Sequence, residues 1–179
     1  MKKTWRDHLW DWFKAAVLAI VLTAILRNFI FIPMNVQGSS MIPTLHQGDQ
    51  MVVESFSKMK RFDIIVFKDA SNRTLVKRII GLPGESIAYR NDQLYINNHK
   101  INEPFLKNKL VTQAGETWTS DFELQQLTGE KKVPENEYFV LGDNRRSSND
   151  SRVFGSIAKD EIIGKTILVY FPFNRISVY

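Results

Sequence analysis

The chain has 179 residues, a formal net charge of +5 and a pI near 9.4. It contains no cysteine, which excludes disulfides, thiolate metal sites and a cysteine nucleophile. Its bases are scattered and its three histidines (His8, His46, His99) lie apart, so composition offers neither a nucleic-acid stripe nor metal-ligand spacing. The positive balance fits proximity to an anionic membrane surface.

Residues 1–12 are largely polar, and Trp5, Trp10 and Trp12 cluster there as aromatics do at a membrane interface. Residues 15–26 then contain a single polar side chain, Thr23. Extended to 13–32, the apolar segment reaches the ~20 residues that a spanning helix needs. Pro33 ends it. A cleaved signal peptide and a buried soluble helix compete with an uncleaved anchor. Arg27 and Asn28 stand where a cleavage site needs small residues, which favours the anchor. Lys2, Lys3, Arg6 and Lys14 would keep the N-terminus cytoplasmic and place everything from Pro33 outside.

Residues 37–45 read Gln-Gly-Ser-Ser-Met-Ile-Pro-Thr-Leu. Gly, Ser and Pro suit a turn, and a rigid, glycine-preceded serine suits a nucleophile. Short β-branched runs predict strands at 50–54, 62–68 and 74–80, then a break at 81–84. Strands at 85–89 and 93–97 follow, with a turn over 97–100 and a polar loop over 106–117. Ser120 and Glu123 have capping-box spacing and Gly129 suits a stop, predicting a helix over 120–127. Strands at 137–141 and 162–171 close the chain. The pattern predicts a mainly β protein of antiparallel sheets with one N-terminal transmembrane helix.

Two further stretches carry chemistry. In a strand, Leu75, Lys77 and Ile79 share one face. A lysine between aliphatics either reaches solvent along its stem or is desolvated. Desolvation would lower its pKa and leave a neutral amine able to act as a general base. None of the histidines is as well placed for that role. Residues 141–155 are dense in small polar and charged side chains. Asp143, Asp150, Arg78, Arg145 and Arg152 give scope for carboxylate–guanidinium bridges that would hold such a loop.

Taken together, the anchor segment, the serine stretch, the run from Lys77 to Glu85 (Lys-Arg-Ile-Ile-Gly-Leu-Pro-Gly-Glu) and the run 142–155 (Gly-Asp-Asn-Arg-Arg-Ser-Ser-Asn-Asp-Ser-Arg-Val-Phe-Gly) resemble type I signal peptidases. The form is similar to the shorter one of Gram-positive bacteria. The resemblance implies a serine endopeptidase, without metal or cofactor, that cleaves signal peptides after small-x-small (Ala-x-Ala) motifs. It implies Ser40 as nucleophile, Lys77 as general base, and Ser148 as a hydroxyl that orients the lysine. Asp150 would support the site, while Asp143, Arg78 and Arg152 match structural ion-pair positions. Gly38 stands where some relatives carry a serine that helps bind the oxyanion, so the Ser40 amide, with Ser39 or water, is the expected donor.

The resemblance further implies a substrate strand added between the segment before Ser40 and the strand of Lys77, with Val36, Gly38, Ser39, Met41 and Leu75 contacting it. Tyr170, Phe171 and Phe173 are expected either to form a membrane-facing patch with Met41 or to pack as core. The implied layout is a cytoplasmic tail (1–12), an anchor (13–32), an extracytoplasmic catalytic β-domain (33–88 and 133–179) and an inserted non-catalytic subdomain (89–132). Expected partners are signal-peptide-bearing preproteins, membrane lipid and a nearby secretion translocase, with no nucleic acid. A non-catalytic anchored β-domain that binds peptides, and a cytosolic self-cleaving Ser-Lys regulator, are the rival readings. Lys77 Nζ within hydrogen-bonding reach of Ser40 Oγ and Ser148 Oγ would argue against the binding module.

Overall fold

A computed structural model of the chain describes residues 5–29, 31–106 and 117–179. It divides into two compact units, Met1–Ile32 and Pro33–Tyr179. The first carries α1 (Trp5–Phe29). The helix starts at Trp5 rather than at 13, so the polar turns expected as a tail are helical. Asp11 and Lys14, three residues apart on one helix face, form an ion pair at 3.6 Å. It stops at Phe29, and Phe31 already belongs to strand β1 (Phe31–Asn35). Pro33 cannot donate to a helix and biases Ile32 toward extended backbone, which ends the helix before the expected 32. Among the described residues, no helix is long and apolar enough to cross a membrane.

The second unit is built on two sheets. The larger runs β1–β2 (Gln50–Glu54)–β11 (Ile162–Phe171)–β3 (Ile64–Lys68)–β4 (Thr74–Gly81)–β9 (Glu137–Leu141)–β10 (Ile157–Ala158), with β12 (Ser177–Val178) also paired to β11. The smaller runs β7 (His99–Ile101)–β6 (Gln93–Ile96)–β5 (Ile87–Arg90)–β8 (Phe122–Glu123). The pairings of β2, β3, β4, β9 and β10 within the large sheet, and those of the small sheet, are antiparallel. The expected mainly β class with two antiparallel sheets therefore stands. Four successive residues of β3, Ile64 to Phe67, are buried, as a strand covered on both faces requires.

One hydrophobic cluster joins the sheets. Ile80, Phe139 and Leu141 of the large sheet pack with Ile87, Tyr89, Leu94 and Phe122 of the small one. The small sheet, which begins at Ile87, thus shares its core with the strands that carry the candidate site.

Three local expectations change. Residues 97–100 do not form one turn: Asn97 and Asn98 take positive φ (50° and 65°), and His99 already opens β7. Such φ values suit asparagine, and the turn needs only those two residues. Over 120–127 the capping box does not form. Phe122 and Glu123 pair with β5 instead, and α2 spans only Leu124–Thr128 before Gly129. The strand expected from 62 begins at Ile64 because Phe62 adopts φ 72°, with its amide bonded to Ile79 O at 2.8 Å. Of the loop expected over 106–117, residues 107–116 lie outside the described residues.

Candidate active site

The serine stretch is fixed from both ends. Gly38 takes φ 80°, a left-handed conformation that suits glycine, just before the two serines. Val36 N donates to Asp49 O at 2.8 Å and Gly48 N to Val36 O at 3.0 Å, closing the segment into a loop. Met41 and Leu45, 2% and 0% exposed, anchor it in the core. From the other side, Asn144 N donates to Ser40 O at 3.0 Å and Asn144 Nδ2 to Ser39 O at 3.1 Å. Ser40 is thereby held by its own carbonyl against the turn that follows β9.

β4 supplies the amine. Lys77 Nζ lies 2.8 Å from Ser40 Oγ and 3.0 Å from Val76 O. Lys77 pairs with Ile65 across β3 and is only 3% exposed. Burial lowers its pKa from 10.5 to about 8, against the opposing pull of the Asp150 charge. The sequence left Lys77 as either snorkelling or desolvated. The structure places it among the desolvated lysines.

The flanking charges form two bridges. Arg78 grips Asp143 with both edges, Nε to Oδ1 at 2.8 Å and Nη2 to Oδ2 at 2.6 Å, and donates to Phe62 O at 2.8 Å. Thr44 Oγ1 bonds the same carboxylate, tying the serine loop to the 142–144 turn. Asp150 is fully buried. It accepts from Gly142 N at 3.0 Å and from Arg152 Nε and Nη2 at 2.8 and 2.9 Å, and it caps α3 (Ser151–Phe154). These charge-assisted bonds brace the turn from which Asn144 reaches Ser40.

Not every expected residue falls where the sequence reading put it. Ser148 Oγ is buried but, among the described residues, has no hydrogen-bond partner, and so makes no bond to Lys77. It lies beside Gly142 instead, where an added Cβ would stand 2.2 Å from that oxygen. Arg145 pairs with Glu103 at 2.5 Å rather than with a carboxylate of its own loop. Val36 and Met41, 3% and 2% exposed, face the core. With Met41 buried, it adds nothing to an exposed patch, although Phe171 and Phe173 are 43% and 78% exposed. Thr44, Asn144 and Gly142 lay inside the recognised stretches but were not singled out as site residues.

A groove of about 760 Å³ leads to the Ser40–Lys77 pair. Pro33, Asn35 and Gly38 line one wall, and Thr74, Leu75 and Val76 the other. The arrangement is a buried amine at hydrogen-bonding distance from a hydroxyl at the end of an extended groove. It can take a proton from that hydroxyl without a metal.

A family model described as signal peptidase, peptidase S26, matches residues 9–171. The chain belongs to the signal peptidase family. It is 46% identical to signal peptidase I V of Bacillus subtilis over 157 residues, covering 86% of this chain and 94% of that one. Identity to a signal peptidase I of Bacillus amyloliquefaciens is 45% over 182 residues, covering 98% and 95%. The crystal structure of a signal peptidase I from Enterococcus faecalis superposes with a TM-score of 0.57 at 43% identity, over 62% of this chain and 98% of that one. Membership makes the chain an enzyme, a serine endopeptidase of the signal peptidase I class, so a non-catalytic binding domain no longer competes.

Proposed function

We propose that the chain removes signal peptides from exported preproteins by a Ser40–Lys77 mechanism. The observation that carries this reading is the 2.8 Å contact between Lys77 Nζ and Ser40 Oγ, made by a nearly inaccessible amine. Neutral Lys77 takes the Ser40 proton as Ser40 Oγ attacks the carbonyl of the signal peptide's last residue. The Ser40 amide donates to the resulting oxyanion. The ammonium returns its proton to the leaving amine, leaving an ester between Ser40 and the signal peptide. Lys77 then takes a proton from water, which hydrolyses the ester and frees Ser40.

The substrate adds as an extended strand in the groove between residues 33–38 and 74–77. Leu75 and Gly38 border it there and leave room for small side chains nearest Ser40, the Ala-x-Ala preference. The anchor reading is supported by the apolar run of residues 15–26, which lies within α1. Its side chains described between Trp5 and Thr23 are exposed, Ile20 by 68% and Leu18 by 60%. On that reading the apolar part of α1, which ends at Phe29, sits in lipid, with the N-terminus cytoplasmic and the catalytic unit outside, close to the translocase. The full chain in detergent, incubated with a preprotein carrying an Ala-x-Ala site, is expected to cut after the second alanine. Mass spectrometry locates the cut. An uncut preprotein, or a wild-type rate from Ser40→Ala, defeats the reading.

The lysine also sets the pH dependence. Only the neutral amine accepts the Ser40 proton, and Lys77 loses its charge near pH 8. kcat/KM is expected to rise about tenfold per pH unit below that value and to level off above it. A rate that is flat from pH 6 to pH 9 contradicts a lysine base.

A further inference from the structure

We propose that Glu103 and Tyr89 are positioning residues for hydrolysis, acting through Arg145 on the turn that clamps Ser40. This rests on the Ser40–Lys77 reading and gives the segment read as a non-catalytic insertion a part in catalysis.

The contacts form a continuous chain. Glu103 follows β7, and its side chain is 6% exposed. Glu103 Oε1 accepts from Tyr89 OH at 2.7 Å and from Arg145 Nη2 at 2.5 Å. Arg145 Nη1 donates to Tyr89 OH at 2.5 Å and to Thr119 Oγ1 at 3.1 Å. Three groups from the region of the small sheet thus converge on one guanidinium, whose side chain is 0% exposed.

The other end of Arg145 meets the site. Its Nε donates to Gly142 O at 2.9 Å and its amide to Asp143 O at 3.0 Å. Its carbonyl accepts from Arg152 Nη2 at 2.7 Å, the same nitrogen that holds Asp150 Oδ2 at 2.9 Å. One turn therefore connects the cluster to Asn144, which binds Ser40 O, and to Asp150, whose charge acts on Lys77. Trp118 Nε1 adds a bond to Asp143 O at 3.1 Å from the same side.

The energetics point to position rather than stability. Taking a guanidinium and a carboxylate out of water costs several kcal/mol per ion, and apolar residues of like volume hold a core as well. Burial pushes Tyr89 well above its ordinary pKa, so at neutral pH it is a phenol that donates to Glu103 and accepts from Arg145. Burial would lower Arg145, but it stays charged beside the Glu103 and Asp143 carboxylates. The planar guanidinium then fixes direction: three of its hydrogen bonds go to the small-sheet region and one to Gly142 O. A flexible apolar residue would fill the space without setting the angle of that carbonyl.

The test compares Glu103→Gln and Tyr89→Phe with the unaltered full chain in detergent, well below each unfolding midpoint. Both keep the buried volume and weaken the hold on Arg145. kcat is expected to fall about tenfold with KM within about twofold, since a displaced nucleophile slows chemistry without changing groove contacts. A folded variant with unchanged kcat, or one whose loss lies in KM, overturns the proposal. So does failure of both variants to fold, because the cluster would then serve stability. Ser40→Ala is assayed alongside. An active Ser40→Ala removes the underlying mechanism; an inert one beside fully active Glu103→Gln and Tyr89→Phe removes the positioning role alone.

Discussion

Lys77→Met is expected to be inert toward an Ala-x-Ala preprotein, by at least about 10³-fold, and yet to be more stable than the unaltered chain at pH 7. Methionine fills the lysine's path through β4 but has no proton acceptor for Ser40, so chemistry stops. The gain in stability follows from the amine's displaced titration. The unfolded chain holds the Lys77 proton up to pH 10.5, whereas the folded chain gives it up at about 8. Below pH 8 both states are protonated, and the folded state bears the full cost of a desolvated ammonium, roughly 3 kcal/mol. Between 8 and 10.5 the unfolded state binds more protons, so stability rises with pH and the cost fades. Methionine removes that cost but also the bonds from Nζ to Ser40 Oγ and Val76 O, each worth about 1 kcal/mol. The net gain at pH 7 is on the order of 1–2 kcal/mol, and it shrinks toward pH 10. Paired urea titrations of Lys77→Met and the unaltered chain at pH 7 and pH 10 measure it. A variant less stable at pH 7, or a difference independent of pH, would show that the lysine carries no such cost.

What could be read in advance follows from how local each feature is. Strands β2, β9 and β11 begin and end where their apolar runs do, because turn residues bound them directly. The alternation in β4 put Lys77 between Leu75 and Ile79, and the structure finds it there, 3% exposed. Ser40 lay in a stretch whose glycine and proline restrict the backbone. Arg145 is different. Its partner Glu103 lies 42 residues away in a region of no distinctive pattern, and only the packing of two sheets brings them together. Arg145 also stands in a loop rich in acids, which made a local bridge look natural. The bonding of Ser148 was beyond reach for a similar reason. Which way a hydroxyl turns depends on space beside Gly142, and spacing along the chain carries no record of it. The short pairing of Phe122 with Tyr89 likewise overrode a capping pattern, since the ring enters the shared core.

Gly142→Ala is expected to lower kcat by about 10²-fold or beyond. The backbone at Gly142 does not demand glycine by its φ. The obstacle is space. A Cβ there would stand 2.2 Å from Ser148 Oγ and 2.5 Å from Ser40 O. Ser148 Cβ would stand 2.6 Å away as well, so rotating the hydroxyl relieves only part of that side, though a side chain can still give way. The carbonyl could not, because it is backbone and is held by Asn144 N at 3.0 Å. Relief requires Ser40 or the 142–144 turn to move by about 1 Å, and either motion breaks the 2.8 Å approach of Ser40 Oγ to Lys77 Nζ. Overpacking of this kind also costs about 1–3 kcal/mol of stability. A second substitution separates the two contacts. Ser148→Gly removes both the hydroxyl and the Cβ but leaves the clash with Ser40 O, so the double variant should remain slow. If Ser148→Gly instead restored the rate, the clash with the Ser148 side chain would be the whole effect, and Gly142 would matter to Ser148 rather than to the seat of the nucleophile.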